Sequence, residues 1–581
     1  MRKKHLAHYG FFVQWLCLWP LKSFKRLFNG LGAPRRGESP QAVEEAFKEF
    51  LKTNSQVWQG FDKERTIEPG EQRLLVEGLI EVPGYILTNL IIARHVMAAY
   101  RLKGAGLLES PNKKLEDLFR SYGIDEFFYL SRRKTNFWHT FLYGLRAGHA
   151  LTRIKDPEEL LKFKVRDVQL GKIVYDDYLR TTGFGTMERL GWRAVDGLAR
   201  ALSYLEHLEQ LFTKEKFPVF VQAEKQFIPS SIVCQAGLRE GAVLYSRVGG
   251  PTSFSLRRYD QLDQIYTNPQ RYSREIFDFI LKNDREKAQE AGGHFIAQRF
   301  AGRASLNDIP DATLAYKKRK RIISKEEFCG RMGWDPKRPV VGVMANNLID
   351  GVFTDNWELF RDYLTWLSET LKVIRNVDHV NWFIKPHPMD FLYKLRTTAY
   401  GEYNKLAKDC AHIKFYPNDV GASSLPSIVH AILTVRGSAA VEYSSFGIPC
   451  IIGGEAFYTG FGFTHEPQTQ EEYFQLLKNI HTLKGLDASQ IERAKIYAYI
   501  YGVLSRVPCS LIPSFSPYDD YDEEKLWREA GQLIKKNSPH DDKQYQMVQI
   551  QVQHKYRHLL NYDLTRAEHK DSPAFEHTKI F

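Results

Sequence analysis

Between Val340 and Gly453, short apolar runs rich in β-branched residues alternate with stretches of helical period, an order that calls for parallel strands with helices on their faces. The run "PVVGVMANN" reads as a strand, and after it Phe360, Tyr363, Leu364, Leu367, Leu371 and Ile374 form the single apolar stripe of a helix. The chain then reaches "VNWFIKPHP", where strand residues deliver Lys385 and His387 to the carboxyl edge of the sheet and Pro386 and Pro388 fix the backbone beyond it. Ligands of open α/β sheets bind at that edge, which makes this cation and imidazole candidate contacts.

A second unit, "AILTVRGSAAVEYSSFGIPCII", runs from a strand through Gly437 and Ser438 into a helix opening near Ala439, with another strand after Gly447. Free amides at a helix start attract anions, a serine there can cap, and glycine lets a ligand approach closely. Glu442 follows about 6 Å further along the helix axis, where a carboxylate can accept hydrogen bonds from ribose hydroxyls. Asn346, Asn347 and Asp350 follow the first strand and are placed to line the same cleft, although loop polarity alone explains them equally well.

A length of 581 residues exceeds one ordinary core and implies two large domains with appendages. With 43% hydrophobic and 13% aromatic residues, the body has the material for packed cores. The net charge is +12, but the first 36 residues hold eight Lys or Arg and no acid, which leaves only +4 for the rest. A general nucleic-acid binder needs a broad basic footprint on its folded domain, so the distribution argues against that class and for a basic tether. The six cysteines are scattered without a CxxC pair, and neither a disulfide framework nor a metal site is expected.

The amino-terminal "GFFVQWLCLWPLKSFKRLF" has an apolar run about half the ~20 residues needed to span a bilayer. No small-residue cleavage site follows, because Lys22, Lys25 and Arg26 interrupt. The expectation is a segment lying on a membrane surface, with Trp15, Trp19 and Phe24 at headgroup level and basic residues near anionic lipid. A helix packed on its own protein is the alternative. The expected organisation is a basic segment and linker over 1–41, with "GAPRRGESPQ" as the linker, an α/β domain over 42–310, a second over 311–517, and a polar helical tail over 518–581. In the first domain, strands at "RLLVEGLIEV", "PVFVQAEKQF" and "GAVLYSRVGG" alternate with helices, and Asn89, Arg94 and His95 mark Tyr85–Tyr100 as a buried helix rather than a membrane span. The basic "YKKRKRIISKEE" between the domains reads as a solvated helix end.

Asp176, Asp177 and Glu224 are the acids nearest the predicted strand ends of the first domain. Asp176 ranks first, because Arg180 four residues on shares its helical face and can hold the carboxylate ionised; an ordinary surface pair explains the spacing equally. Arg247, in "YSRVGGPTSFSLRR", suits a carboxylate or phosphate, or is a solvated turn residue.

These motifs resemble the bacterial surface-carbohydrate and capsule polysaccharide synthesis proteins, a branch of GT-B glycosyltransferases with Kdo-transferase-like and sialyltransferase-like members. The resemblance rests on "NNLIDG", "LFRDYLTWLSETL" with "VNWFIKPHP", "TVRGSAAVEYSSFGIPCI", and "AFYTGFGF" with "TQEEYFQLL", and less specifically on "GKIVYDDYLR" and "QAEKQFIPSSIVCQAGLREGAVLY". It implies an α/β protein of two Rossmann-like domains, to which the sequence adds a basic amino-terminal anchor and a helical carboxy-terminal tail. By the resemblance Lys385 and His387 would meet the donor phosphate, and Gly437, Ser438 and Glu442 its phosphate and ribose; beside it, the reading of the residues adds Pro388, Ala439 and Asn346 as donor contacts and Arg180 and Arg247 as acceptor contacts. The implied donor is a nucleotide-sugar, a CMP-sugar by analogy, used as substrate with no cofactor or metal. The implied acceptor is an oligosaccharide or a lipid-linked sugar at the cytoplasmic face of the inner membrane. The sequence departs from the pattern at Glu224, where the resemblance calls for histidine, so Asp176 and Glu224 both stand as candidates opposite His387. Direct attack by Asp176 would retain configuration, and removal of an acceptor proton would invert it. A nucleotide-sugar epimerase or hydrolase, or a non-catalytic scaffold of a polysaccharide assembly, are the alternatives.

Overall fold

Two sheets, each built around a parallel core, organise the chain. The computed structural model describes residues 14–15, 40–64, 71–131, 137–249, 253–305, 308, 316, 320–353, 355, 358–513, 522–539 and 542–562. They group into two α/β units, the first taken from residues up to 178, 187–265 and 507–559, the second from 179–186, 266–506 and 560 onward.

The first unit opens with α1 (Pro40–Glu64), β1 (Arg73–Glu77), α2 (Pro83–Tyr100), β2 (Lys103–Leu108), α3 (Lys113–Arg120), β3 (Glu126–Tyr129), α4 (Phe137–Leu151), α5 (Pro157–Leu161) and α6 (Leu170–Thr182). It continues with α7 (Trp192–Lys214), β4 (Val219–Gln222), α8 (Ser230–Arg239), β5 (Val243–Gly249) and β6 (Ser253–Tyr259). β1 lies at the centre, parallel to β2 and β4, and the order reverses between β1 and β4. Helix α2 is apolar nearly all round and buried as expected, its polar members satisfied inside: Asn89 donates to the Glu77 carbonyl and Arg94 to the Tyr122 carbonyl and to Asp62.

The second unit contains α9 (Arg274–Asn283), α10 (Arg285–Phe300), α11 (Lys325–Met332), β7 (Val340–Met344), α12 (Tyr363–Ile374), β8 (Asn381–Lys385), α13 (Ala399–Leu406) and β9 (Ile413–Phe415). After these come β10 (Ala431–Thr434), α14 (Ala439–Ser444), β11 (Cys450–Ile452), α15 (Gln470–Lys478) and α16 (Ala488–Tyr499). All five strands are parallel, in the order β11-β10-β7-β8-β9, which is a Rossmann-like arrangement. Asp362 caps α12 by accepting from the Thr365 amide at 2.7 Å, and Trp366 of that helix donates to the Tyr473 hydroxyl of α15 at 2.8 Å. Gly447, at φ +83°, supplies the left-handed turn between α14 and β11.

The chain then returns to the first unit through β12 (Val507–Pro508), α17 (Glu523–Lys536), α18 (Lys543–Gln553) and β13 (His558–Leu559). β12 and β13 both pair antiparallel with β6. The tail read as polar with few core residues, yet Leu526, Trp527, Ala530 and Ile534 are buried. Trp527 packs on Phe47 and Phe50 of α1, with ring centroids 4.8 and 5.4 Å away. Few apolar residues suffice when their spacing gathers them on one face.

The unit boundaries also fall elsewhere than the sequence suggested, near Tyr266 and Val507 rather than near 310 and 518. The reason is packing: Phe277 of α9 stacks near Phe461 and Tyr497, and Arg285 of α10 pairs with Glu492 of α16. Trp19, Phe24, most of the Gly32–Gln41 linker and residues 317–319 of the basic run lie outside the described residues. Trp15, expected at a membrane surface, is instead 2% exposed, its ring against Gly144 of α4 and its indole N–H 3.3 Å from Asp196 of α7.

Candidate anion site at the edge of the five-stranded sheet

In the second sheet, Met344 ending β7 is in register with Lys385 ending β8, while Leu433 of β10 pairs with Val343 on the other side of β7. The ends of β8 and β10 therefore flank β7 about 10 Å apart, two strand spacings. Chain order reverses between β7 and β10, which makes this edge the topological switch point where ligands of such sheets sit. Asn346 spans the gap, its Oδ1 accepting from the Thr434 hydroxyl at 3.3 Å and the Val435 amide at 3.4 Å.

Gly437 follows in the β10 turn. Its amide donates to Thr434 Oγ1 at 3.2 Å, and its carbonyl accepts from the Tyr458 hydroxyl at 2.9 Å. A Cβ there would lie 2.8 Å from Thr434 Oγ1, so the turn needs glycine for closeness. Ser438 occupies the position before α14, but its side chain does not cap; the hydroxyl donates to Glu442 at 3.3 Å. The amides of Ser438 and Ala439 have no hydrogen-bond acceptor among the described residues and remain available to a ligand.

On the β8 side, the His387 Nδ1 accepts the Met389 amide at 3.3 Å. That bond selects the tautomer with the proton on Nε2, a donor for an incoming oxygen. Burial, with Lys385 nearby, pulls this imidazole down to about 4, so it is neutral at physiological pH. Lys385 makes no hydrogen bond among the described residues, and its Nζ lies 5.9 Å from the Tyr416 ring centroid. Burial and Lys320 lower the ammonium to about 8, against the opposing pull of Glu442 and Asp390. That mutual influence brings the β8 elbow and the α14 turn into one electrostatic environment.

Asp390, which the sequence reading did not single out, completes the elbow. Its Oδ1 accepts from Asn347 at 3.0 Å, and burial raises it to about 7 despite hydrogen bonds and the neighbouring Lys385. The signal was an acid three residues beyond the histidine in "KPHPMD", close enough for a turn to fold it back.

Glu442 is 4% exposed and faces inward. One oxygen accepts from Arg299 at 2.6 Å, the other from the Tyr316 hydroxyl. Arg299, itself 1% exposed, also makes two 2.6 Å bonds to Asp308 and donates to the Tyr501 hydroxyl at 2.9 Å. Burial works against this guanidinium's charge, but Tyr501, Asp308 and Glu442 hold it protonated. The sequence reading missed Arg299, which lies 143 residues before Glu442 with no motif joining them. Glu442 thus fixes the start of α14 to the interior.

Of the remaining candidates, Arg180 stands beside the loops of this edge, and the others belong to the first unit. Arg180 belongs to the second unit, where it pairs with Asp350 at 3.2 Å and stacks 4.3 Å over Tyr393. Asp176 is 4% exposed and lies inside helix α6, not at a strand end; its neighbour Asp177 pairs with Arg200. Arg247 is no turn residue. It sits in β5, 5% exposed, donating to Asn89 at 2.9 Å and the Tyr85 carbonyl at 3.1 Å. Glu224 does follow a strand, at the carboxyl edge of the first sheet, where its Oε1 accepts the Lys225 and Gln226 amides at 2.8 Å. Buried Glu77, ending β1 across the switch point, orders the same loop by accepting the Ala223 amide and the Ser230 hydroxyl, each at 2.8 Å. Among the described residues no group of three or more His, Cys, Asp or Glu is placed to hold a metal, and no helix is long and apolar enough to cross a membrane.

No family model and no curated protein matches the chain. Among solved structures it is similar to the β-Kdo 2,4-transferase KpsC of Thermosulfurimonas dismutans, at 14% identity over 49% of this chain and 79% of that one, with a TM-score of 0.28. It is likewise similar to a glycosyltransferase from Rickettsia africae, at 10% identity over 74% and 93% of the two chains, with a TM-score of 0.24. A UDP-GlcNAc 2-epimerase from Neisseria meningitidis aligns at 8% identity over 80% and 98%, with a TM-score of 0.22.

Proposed function

We propose that the chain is a glycosyltransferase that moves a sugar from a nucleotide-activated donor, a CMP-sugar, to a cell-surface polysaccharide or lipid-linked acceptor, working without a metal at the cytoplasmic face of a membrane. The observation that carries the reading is the placement about one switch point of the Lys385 ammonium and the Ser438 and Ala439 amides, none with a hydrogen-bond partner among the described residues, together with the His387 Nε2–H. Such a set supplies positive charge and donors to the phosphate handle of the donor and steadies the charge that builds on it as the glycosidic bond breaks. Preorganised donors of this kind contribute several kcal/mol to the barrier. Asn346 and Gly437 hold the two sides of the crevice, and Glu442 acts as a positioning group for the α14 turn, because Arg299 and Tyr316 engage both its oxygens.

For the opposing acid, position favours Glu224 over Asp176. Glu224 lies in the loop just past β4, at a sheet's ligand-binding edge, whereas Asp176 is enclosed in a helix. The test is incubation of the full chain with CMP-, UDP- and GDP-sugars, with and without a lipid-linked acceptor. Transfer that requires acceptor supports the reading, and its loss in Glu224→Gln but not Asp176→Asn supports the assignment of the acid. Conversion of donor without acceptor would mark an epimerase or hydrolase, and binding without turnover a scaffold.

A further inference from the structure

Helix α4 of the first unit turns large apolar side chains to solvent in an ordered way. Trp138, Leu142 and Leu145 are 64%, 54% and 39% exposed, and their spacing places them on one stripe. His149 continues the stripe, while Tyr143, Gly144 and Ala147 face the core. Phe141, beside the stripe, contacts Trp138 edge-on with ring centroids 6.1 Å apart.

Along the chain, the charge in this stretch is of one sign. From Phe127 to Lys155 the sequence holds six Lys or Arg and no Asp or Glu. Of these, Arg146, Arg153 and Lys155 are exposed in the structure, Arg146 extending beside the stripe to pair with Glu206 of α7 at 2.8 Å. The first 36 residues add eight basic groups and no acid. Trp15 itself rests its ring on Gly144, the inward side of the same helix. An exposed tryptophan and leucines on a segment whose charged residues are all basic is the chemistry of a helix that lies in a lipid interface.

We infer that α4, with Trp138, Leu142 and Leu145 inserted among acyl chains and Arg146, Arg153 and Lys155 at headgroup level, is a docking face for an anionic bilayer. Trp15, buried against the inward side of α4, supports the helix and does not itself enter the membrane. The inference does not depend on the sugar-transfer reading.

The test is co-sedimentation of the full-length protein with vesicles of phosphatidylcholine alone and of phosphatidylcholine mixed with phosphatidylglycerol. The wild type binds the anionic vesicles and is released by salt. The triple variant Trp138→Ser, Leu142→Ser, Leu145→Ser binds at least about a hundredfold more weakly, given the apolar area those side chains bury. The three positions are exposed, and an unchanged circular dichroism spectrum checks that the fold is kept. Arg146→Gln, Arg153→Gln, Lys155→Gln weakens binding mainly at low salt. Failure of the wild type to bind, or undiminished binding by the serine variant, overturns the inference. So does light scattering that shows a wild-type dimer which the serine variant dissolves, because the face would then hold a second copy.

Discussion

Replacing Arg299 with methionine removes one buried cation from between two carboxylates, and the cost follows from the geometry. Arg299 makes two 2.6 Å bonds to Asp308 and one of 2.6 Å to Glu442, with Arg299 and Asp308 each 1% exposed. Breaking a buried pair by deleting one partner costs about 3–5 kcal/mol, because the remaining charge is stranded away from water. Two carboxylates lose their cation here, and because Tyr316 and Ser438 still donate to Glu442 the total stays within the range for one buried pair. For a unit of this size each kcal/mol moves the transition by about 2–4 °C, which gives a fall of roughly 6–20 °C. Scanning calorimetry of the full chain measures it. Arg299→Met, Asp308→Asn, Glu442→Gln together should recover more than half of the loss, since neutral groups no longer need the cation. A fall of less than about 3 °C, or a triple variant no more stable than the single one, refutes the reasoning.

Anion affinity should depend on pH in one direction. Lys385 loses its proton near pH 8 and Asp390 gains negative charge near pH 7, so pyrophosphate binding measured by calorimetry holds level below about pH 7 and weakens above pH 8. The limiting slope is about tenfold per pH unit. Lys385→Arg keeps its charge and should leave only the smaller Asp390 step; no inflection should arise from His387, which is already neutral. Asp390→Asn should stabilise the protein at pH 8 by at most about 4 kcal/mol and much less at pH 4. The sign follows because a carboxyl raised to about 7 in the folded state binds its proton there while the unfolded chain does not, so wild-type stability declines from about pH 4 to 7. Urea melts at the two pH values check this, and equal gains at both would contradict the burial of the charged form.

The α/β character and the ends of the second sheet were legible because period-two runs, helical stripes and proline or glycine punctuation lie next to one another in the chain. Lys385 and His387 could be placed at a strand end for that reason. Arg299 could not, because its meaning comes from Glu442 and Asp308, groups that only the folded chain brings to it. The location of Asp176 was not legible, because an acidic pair after a short apolar stretch reads alike near a strand end and within a helix; it lies in α6. Arg247 was misjudged since a β-strand that buries an arginine against Asn89 and Tyr85 carries no local mark of doing so. The carboxy-terminal helices hid their role by being polar on most faces while keeping one apolar edge.

The most direct test of the central claim is isothermal calorimetry of CMP, CDP, UDP and GDP against the wild type and the pair variant Lys385→Ala, His387→Ala. The account predicts that at least one nucleotide binds the wild type and loses about a hundredfold or more in affinity when both donors are removed. Equal affinity for the variant, or no binding of any nucleotide to the wild type, would contradict it.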